Sequence, residues 1–314
     1  MRLFSLLFFS FALTAAAQIE PLLSTTWAQG DPYNMACPSY ERTNSVTGTK
    51  TTRHYAVGCV PLALGQIMNF HQWPRTGEGS IRRKTWLDRD SLIADFGATT
   101  YDWASMRTNY PSAAIYSPTD PSVQAVSTLL FHVGLAMGTI YQTSGSSTIS
   151  SSALAKSLAT YFGYDADSLR FVKRADYGKE EWMELIKTEL AKGRPIYYSG
   201  NSAKQGAHAW VIDGHDGAGL VHINWGWGGF RNGYFDVDLS LDDAETDFVT
   251  NHAMLLGVVP RKASSTVSGI SSFPAGDDTD IVAIYTLNGQ RVSDLQPGVN
   301  IVRWKNGKTT KVRF

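Results

Sequence analysis

The sequence predicts an α+β protein in two segregated halves, helices first and an antiparallel sheet after them, with a small β tail at the end. Three observations carry this. Apolar residues recur at helical spacing in four segments that end before Arg194. From Pro195 the pattern switches to alternation with period two, in short runs joined by Gly and Asp turns. After Arg261 a Ser/Gly/Asp-rich stretch leads into further short β-type runs, with Asn-Gly turns at 288–289 and 306–307.

The first residues, "MRLFSLLFFSFALTAAAQ", have the layout of an export signal. Arg2 precedes an apolar run from Leu3 to Leu13, and Ala15, Ala16 and Ala17 supply a small-residue cleavage site. The run is too short to span a bilayer comfortably. The expectation is a signal peptide over 1–17 and a secreted mature chain with no integral membrane segment. Lys+Arg and Asp+Glu both number 28, so no electrostatic argument favours nucleic acid or an anionic membrane as partner. Hydrophobic residues make up 43% and charged residues 18%, enough for a sizeable core. Export makes the cysteine count informative: a disulfide framework needs many, and this chain has Cys37 and Cys59. One bridge between them would be the plain account of both, yet "NMACPSY" and "VGCVPLA" are very different contexts.

The segment "PLLSTTWAQGDPYNMACP" is loop-rich, with Pro, Gly and Asp punctuation. A helix then starts at Cys59. Val60, Ala63, Leu64, Ile67, Met68 and His71 define one face, Pro61 falls in the first turn where its missing donor costs nothing, and Pro74 lies just past the end. Residues 121–138, 149–163 and 178–193 read as three more helices, the last closed by Gly193 and Arg194-Pro195. "PIYYSG", "AHAWVIDG", "LVHINW", "GYFDVDLS" and "HAMLLGVVP" read as strands. Two such halves leave a cleft between them.

Cys59 sits where a nucleophile would be useful. A helix N-terminus favours the thiolate, Gly58 lets the chain turn tightly into the helix, and the free donors of the first turn point where an oxyanion would form. A base is then needed, and histidine is the usual one. His71 and His132 fall on apolar helical faces and read as core histidines. His215, in "DGHDG", reads as a solvated hairpin tip, and His252 lies in a plain context. No metal-ligand spacing is present. His208 begins a strand among the small residues Gly206, Ala207 and Ala209, leaving room for a substrate backbone. Shortly after it, "HINWGWGG" brings Asn224, Trp225 and Trp227 beside a glycine-rich turn. Asn224 could orient the imidazole and an indole could shield that bond from water. Spacing alone leaves the other reading open, a Trp-rich hairpin with an incidental histidine.

At these residues a family resemblance becomes visible. "GCVPLALGQIMNFHQWP" resembles the nucleophile helix of the streptopain family of papain-like cysteine peptidases. "GAHAWVIDGHDGAGLVHINWGWGGFRNGYFDVD" resembles its histidine strand and tryptophan-rich turn, and "TTWAQGDPYN" and "KEEWMELIKTELAKGRPIYYSG" resemble two further segments, in consistent order from about Leu22 to Pro260. The resemblance implies a papain-like fold over 18–262, the helical half carrying the nucleophile Cys59 and the β half the general base His208. It implies Asn224 and Trp225 as supporting residues, substrate contacts at Ser147, Thr148, Ala207 and Trp227, and no metal or organic cofactor. Protein or peptide substrates would have a bulky apolar residue one step before the cleaved position's side chain.

Two departures stand out. Papain-like enzymes often place a glutamine oxyanion donor six residues before the cysteine, and here that position holds Arg53. Streptopain-like enzymes commonly carry a long propeptide, whereas only a few residues separate the signal from "PLLSTTW". Latency would then rest on another part of the chain or on a separate inhibitor. Beyond a linker over 263–280, the tail 281–314, with "YTLNGQRV", "LQPGVNIV" and "NGKTTKVRF", resembles the sorting domains of type IX secretion. That implies partnership with secretion machinery, passage of a Gram-negative outer membrane, and a released or cell-surface protein. A small β appendage with another role is the alternative. The expected activity is that of a secreted cysteine endopeptidase. The competing readings are a catalytically silent papain-like binding or inhibitory protein, and a cysteine amidase acting on cell-wall peptides. Against the amidase stands the 149-residue (208 − 59) separation of Cys59 and His208, longer than such compact domains usually have.

Overall fold

Period-two alternation gives the central sheet two apolar faces, and each face organises one core. The computed structural model describes residues 17–84, 91–143, 146–148, 152–239, 247–261, 281–286, 289–293, 299–305 and 309–313. The chain divides into two compact units, Met1–Arg261 and Lys262–Phe314. Most of the expected signal peptide and all of the expected linker lie outside the described residues.

In the first unit, the hairpin of β1 (Ser39–Thr43) and β2 (Lys50–His54) precedes α1 (Cys59–His71). A second hairpin, β3 (Ser80–Lys84) with β4 (Ser91–Asp95), leads to α2 (Pro121–Met137). The short pair β5 (Thr139–Ile140) and β6 (Ser147–Thr148) is followed by α3 (Ser152–Phe162). Then come β7 (Arg170–Lys173), α4 (Lys179–Ala191), β8 (Ile196–Ser202), β9 (Gly206–His215), β10 (Leu220–Asn224), β11 (Gly233–Asp236) and β12 (Thr250–Leu256). The last five strands and β7 form one sheet in the order β11-β10-β9-β8-β12-β7, antiparallel throughout.

Tyr197, Ala209, Val211 and Leu255 turn to one side of this sheet and join the core of α1, α2 and α3, with Leu62, Leu64, Ile67, Val126, Leu130 and Leu158. Their neighbours Ile196, Tyr198, Trp210, Ile212, Met254 and Leu256 turn to the other side and pack with Trp182, Ile186 and Leu190 of α4. The helices end where local chemistry stops them. Asp120 caps α2, accepting from Ser122 N–H at 2.8 Å with Pro121 in the first turn, and Gly138 at φ 75° closes it. Gln72 in the left-handed region ends α1, its N–H reaching the Met68 and Asn69 carbonyls. No helix among the described residues is long and apolar enough to cross a membrane.

The four expected helices and the later strands are all present, though β11 stops at Asp236, short of the run expected there. The strands β1 to β7 were not anticipated: β1 to β4 are mostly solvent-exposed and β7 has four residues, too little pattern to detect. His215 is a correction. It is buried, because the segment from Ile19 pairs with it through two 2.9 Å backbone bonds and covers it. The second unit has β13 (Ile281–Thr286), β14 (Arg291–Val292), β15 (Val299–Trp304) and β16 (Thr309–Arg313) in a four-stranded antiparallel sheet ordered β14-β13-β15-β16.

The core histidines give this fold an acid limit. Burial pushes His132, paired with Tyr101 Oη at 3.1 Å, and His71, paired with Tyr164 Oη at 3.1 Å, down to about 4. A histidine with a folded value below its unfolded ~6.5 takes its proton more readily in the unfolded chain. Stability is therefore complete above about pH 6.5 and falls as pH drops toward 4. We expect the melting temperature to drop between pH 7 and about 4.5. His132→Asn should shrink the accompanying loss of unfolding free energy by on the order of 2 kcal/mol, and an equal loss in both proteins would contradict this.

Candidate active site

Cys59 is the first residue of α1, entered through Gly58 at φ 95°, a conformation that side-chain-bearing residues rarely adopt. Burial pushes its thiol up. Against that, the nearby backbone N–H groups of Ala209, Val60 and Cys59 itself favour the anion. Ala209 follows His208 on β9, so the histidine strand lies against the sulfur from the opposite half of the molecule. Both cysteines are free thiols, so no Cys37–Cys59 bridge exists. Cys37 is buried elsewhere in the core, its thiol pushed up to about 12 by desolvation.

His208 is 7% exposed, and its burial pushes the imidazole down to about 4 against the opposing pull of the Trp225 carbonyl. That carbonyl lies 3.0 Å from Nε2. A carbonyl only accepts, so Nε2 carries the proton and Nδ1 of the neutral ring keeps its lone pair. Four aromatic rings pack around the imidazole: Trp227 stacks at 5.2 Å, Phe248 lies at 5.1 Å, Trp210 at 6.1 Å and Trp225 at 6.3 Å. Phe248 is held in turn by His252, whose Nε2–H donates to the Phe248 carbonyl at 2.6 Å while Nδ1 accepts from Tyr198 Oη at 3.0 Å. Gly200 faces His208 across the strand pair, and a Cβ there would meet the Phe248 carbonyl at 2.7 Å. The sequence pointed to neither His252 nor Phe248, because their partnership depends on strand register.

The structure corrects the expectation for Asn224. Its amide does not reach His208. Nδ2 donates to the Thr25 carbonyl at 2.7 Å and to Gln66 Oε1 at 3.3 Å, and Oδ1 accepts from Gly226 N–H at 3.1 Å. The main chain of Trp225 takes the place expected for the Asn224 side chain. Arg53 lies on the exposed hairpin strand β2 opposite Tyr40. The segment before Cys59 is held instead by the main chain of half-buried Gln29, whose backbone carbonyl accepts from Val57 N–H at 3.0 Å.

Cys59 and His208 open into one cleft of about 820 Å³ between the helical side and the sheet. Ser147 and Thr148 of β6, and Ala207 of β9, line it as well. Its floor continues over Ser199, Ala253 and Phe171, with Lys173 toward the sheet edge. Trp227 reaches the site through His208, and Trp225 is wholly buried behind it.

Comparison with known proteins agrees with this geometry. A family model, that of the Peptidase C10 family, matches residues 27–235. Streptopain of Streptococcus pyogenes is 34% identical over 218 residues, which are 67% of this chain and 52% of the relative, so the chain spans about half the length of that protein. The thiol protease/hemagglutinin PrtT of Porphyromonas gingivalis is 32% identical over 275 residues, 82% of this chain and 29% of that one. The structure of the active interpain A cysteine protease of Prevotella intermedia is similar with a TM-score of 0.65 at 35% identity, covering 78% of this chain and 96% of that one. A prointerpain A fragment gives 0.64 at 34% identity, covering 80% and 74%. With a buried histidine strand laid across a helix-borne cysteine, an α+β fold like that of interpain A, and a family match spanning both motifs, this chain belongs to the Peptidase C10 family, the streptopain family of cysteine peptidases.

Proposed function

We propose that the protein is a secreted cysteine endopeptidase with Cys59 as nucleophile and His208 as general base. The observation that carries this is the 3.0 Å contact of His208 Nε2 with the Trp225 carbonyl: it commits Nε2–H to that carbonyl and leaves Nδ1 as the proton acceptor in the cleft that Cys59 shares. The Cys59 thiol gives its proton to Nδ1, and the thiolate attacks the peptide carbonyl carbon. The sulfur loses its charge as the S–C bond forms, and the Cys59 and Val60 N–H groups at the start of α1 then serve the tetrahedral oxyanion. The C–N bond breaks as Nδ1–H protonates the leaving amine, and an acyl-enzyme remains. His208 then takes a proton from water, the hydroxide attacks the thioester, and Cys59 leaves as thiolate with release of the carboxylic acid.

The leaving amine must face His208, so the primed side of the substrate runs past Trp227. The acyl side runs over Ala209, Ser199 and Ala253, beside Ser147, Thr148 and Ala207. Apolar Leu154, Phe171 and Tyr197 along the acyl side suit a bulky apolar side chain there. The tail from Ile281 is read as a sorting domain for type IX secretion. Its support is the sequence resemblance, and its consequence is release into the medium or display at the cell surface.

Cys59→Ala should abolish casein cleavage, by about a thousandfold or more, together with labelling by a peptidyl epoxide. Undiminished proteolysis would sink the peptidase reading, and labelling with release of cell-wall peptides but no casein cleavage would favour an amidase. In His208→Ala the thiol loses its proton acceptor while burial still raises it. Alkylation of Cys59 by iodoacetamide should then become slow at pH 7 and rise only above the ordinary thiol range near 8.5; an unchanged rate at pH 7 would remove His208 as base. A chain truncated at Ser264 should accumulate inside the cell, and its normal export would end the sorting proposal.

A further inference from the structure

The Trp225–Gly226 peptide unit is bonded from both ends. Its carbonyl accepts from His208 Nε2–H at 3.0 Å, and its N–H donates to Asn224 Oδ1 at 3.1 Å. The unit is planar and stiff, so whatever holds the N–H also aims the carbonyl. Asn224 is held by a reciprocal amide pair with Gln66, Nδ2 to Oε1 at 3.3 Å and Gln66 Nε2 to Oδ1 at 3.4 Å. Gln66 Oε1 also accepts from Thr25 Oγ1 at 3.0 Å and from Trp27 N–H at 3.3 Å. Gln66 is 0% exposed and lies on α1, about two turns after Cys59. A buried carboxamide with both ends engaged ties the nucleophile helix to the acceptor of the base.

We propose that Gln66 is a positioning residue for the dyad. Through Asn224 and the Trp225–Gly226 peptide it holds the carbonyl that accepts from His208 in fixed relation to the helix bearing Cys59. This rests on the Cys59–His208 reading above. The imidazolium formed on proton transfer keeps Nε2–H on that carbonyl, and in a site this dry no water replaces a misaimed acceptor. Losing the Gln66 clamp therefore weakens the imidazolium more than the neutral ring, and the ion pair gives up its proton at lower pH.

The test is steady-state kinetics on a fluorogenic peptide that the wild type cleaves, with Gln66→Met, Gln66→Glu, Asn224→Ala and the Gln66→Met/Asn224→Ala double variant. Gln66→Met should lower kcat by about tenfold or more with KM within about twofold. It should also move the alkaline limb of kcat/KM to lower pH. The double variant should lose little more than the worse single one, because both cut the same connection. A merely structural glutamine would lower the melting temperature and leave the pH limb in place. That result, a kcat within about twofold of wild type, or multiplicative losses in the double variant would overturn the proposal. If Gln66→Met does not fold, Gln66→Glu carries the comparison: its buried carboxyl keeps the shape and a donor while protonated and loses the donor as rising pH ionises it, so kcat/KM should fall at lower pH than in the wild type, and an unmoved alkaline limb would overturn the proposal. Cys59→Ala, run alongside, keeps the outcomes distinct. Full activity there defeats the peptidase reading, whereas an inactive Cys59→Ala beside wild-type-like Gln66 variants defeats only the positioning role.

Discussion

The Trp225 carbonyl accepts from His208 Nε2–H at 3.0 Å, and the rest of the site follows from that bond. It selects the tautomer, leaves Nδ1 with the lone pair that the proposed base role requires, and supplies the acceptor that an imidazolium would need in a buried place. Burial works against charge on both partners, raising the Cys59 thiol and lowering His208 to about 4. The ion pair proposed for Cys59 and His208 would therefore depend on fixed dipoles: the backbone N–H groups near the sulfur on one side and the Trp225 carbonyl on the other. A main-chain acceptor is well suited to this, since it cannot rotate away as a side-chain amide can.

The sheet brings the two motifs together. β9 must bury both faces, Trp210 and Ile212 toward α4 and Ala209 and Val211 toward α1. That double burial lays the strand across the start of α1 and brings Ala209 beside Cys59. The aromatic packing around His208 is the same constraint seen from the other side. Trp225, Trp227 and Phe248 exclude water from the histidine while belonging to the core behind the sheet or to its edge.

Much of this could be read from the chain. The helix from Cys59 was legible because five apolar positions and His71 share one face and Pro61 and Pro74 bracket it. The strands from Ile196 onward were legible from their alternation, and the placement of Cys59 at a helix start and of His208 on a strand from their local contexts. What escaped notice had weak or misleading local signals. Asn224 stood beside a histidine-bearing strand and looked like its orienter, but its side chain turns toward Thr25 and Gln66. His215 sat in a turn-rich string and looked solvated, until the segment from Ile19 covered it. Arg53, by counting back from the cysteine, fell where a glutamine was wanted, yet a solvent-exposed hairpin carries it away.

The sequence by itself determined the order of helices and strands, the cysteine at a helix start and the histidine on a strand among small residues. Those depend on residues close together in the chain, through periodicity, capping and turn chemistry. Only the tertiary structure decided that a main-chain carbonyl holds His208, that Gln66 and Asn224 lock together across 158 residues, and that Gln29 lies beside the approach to Cys59. These depend on strand register and on which buried polar groups find each other when the two halves close. A buried amide must be satisfied by whatever partner packing brings to it, and no local pattern names that partner in advance.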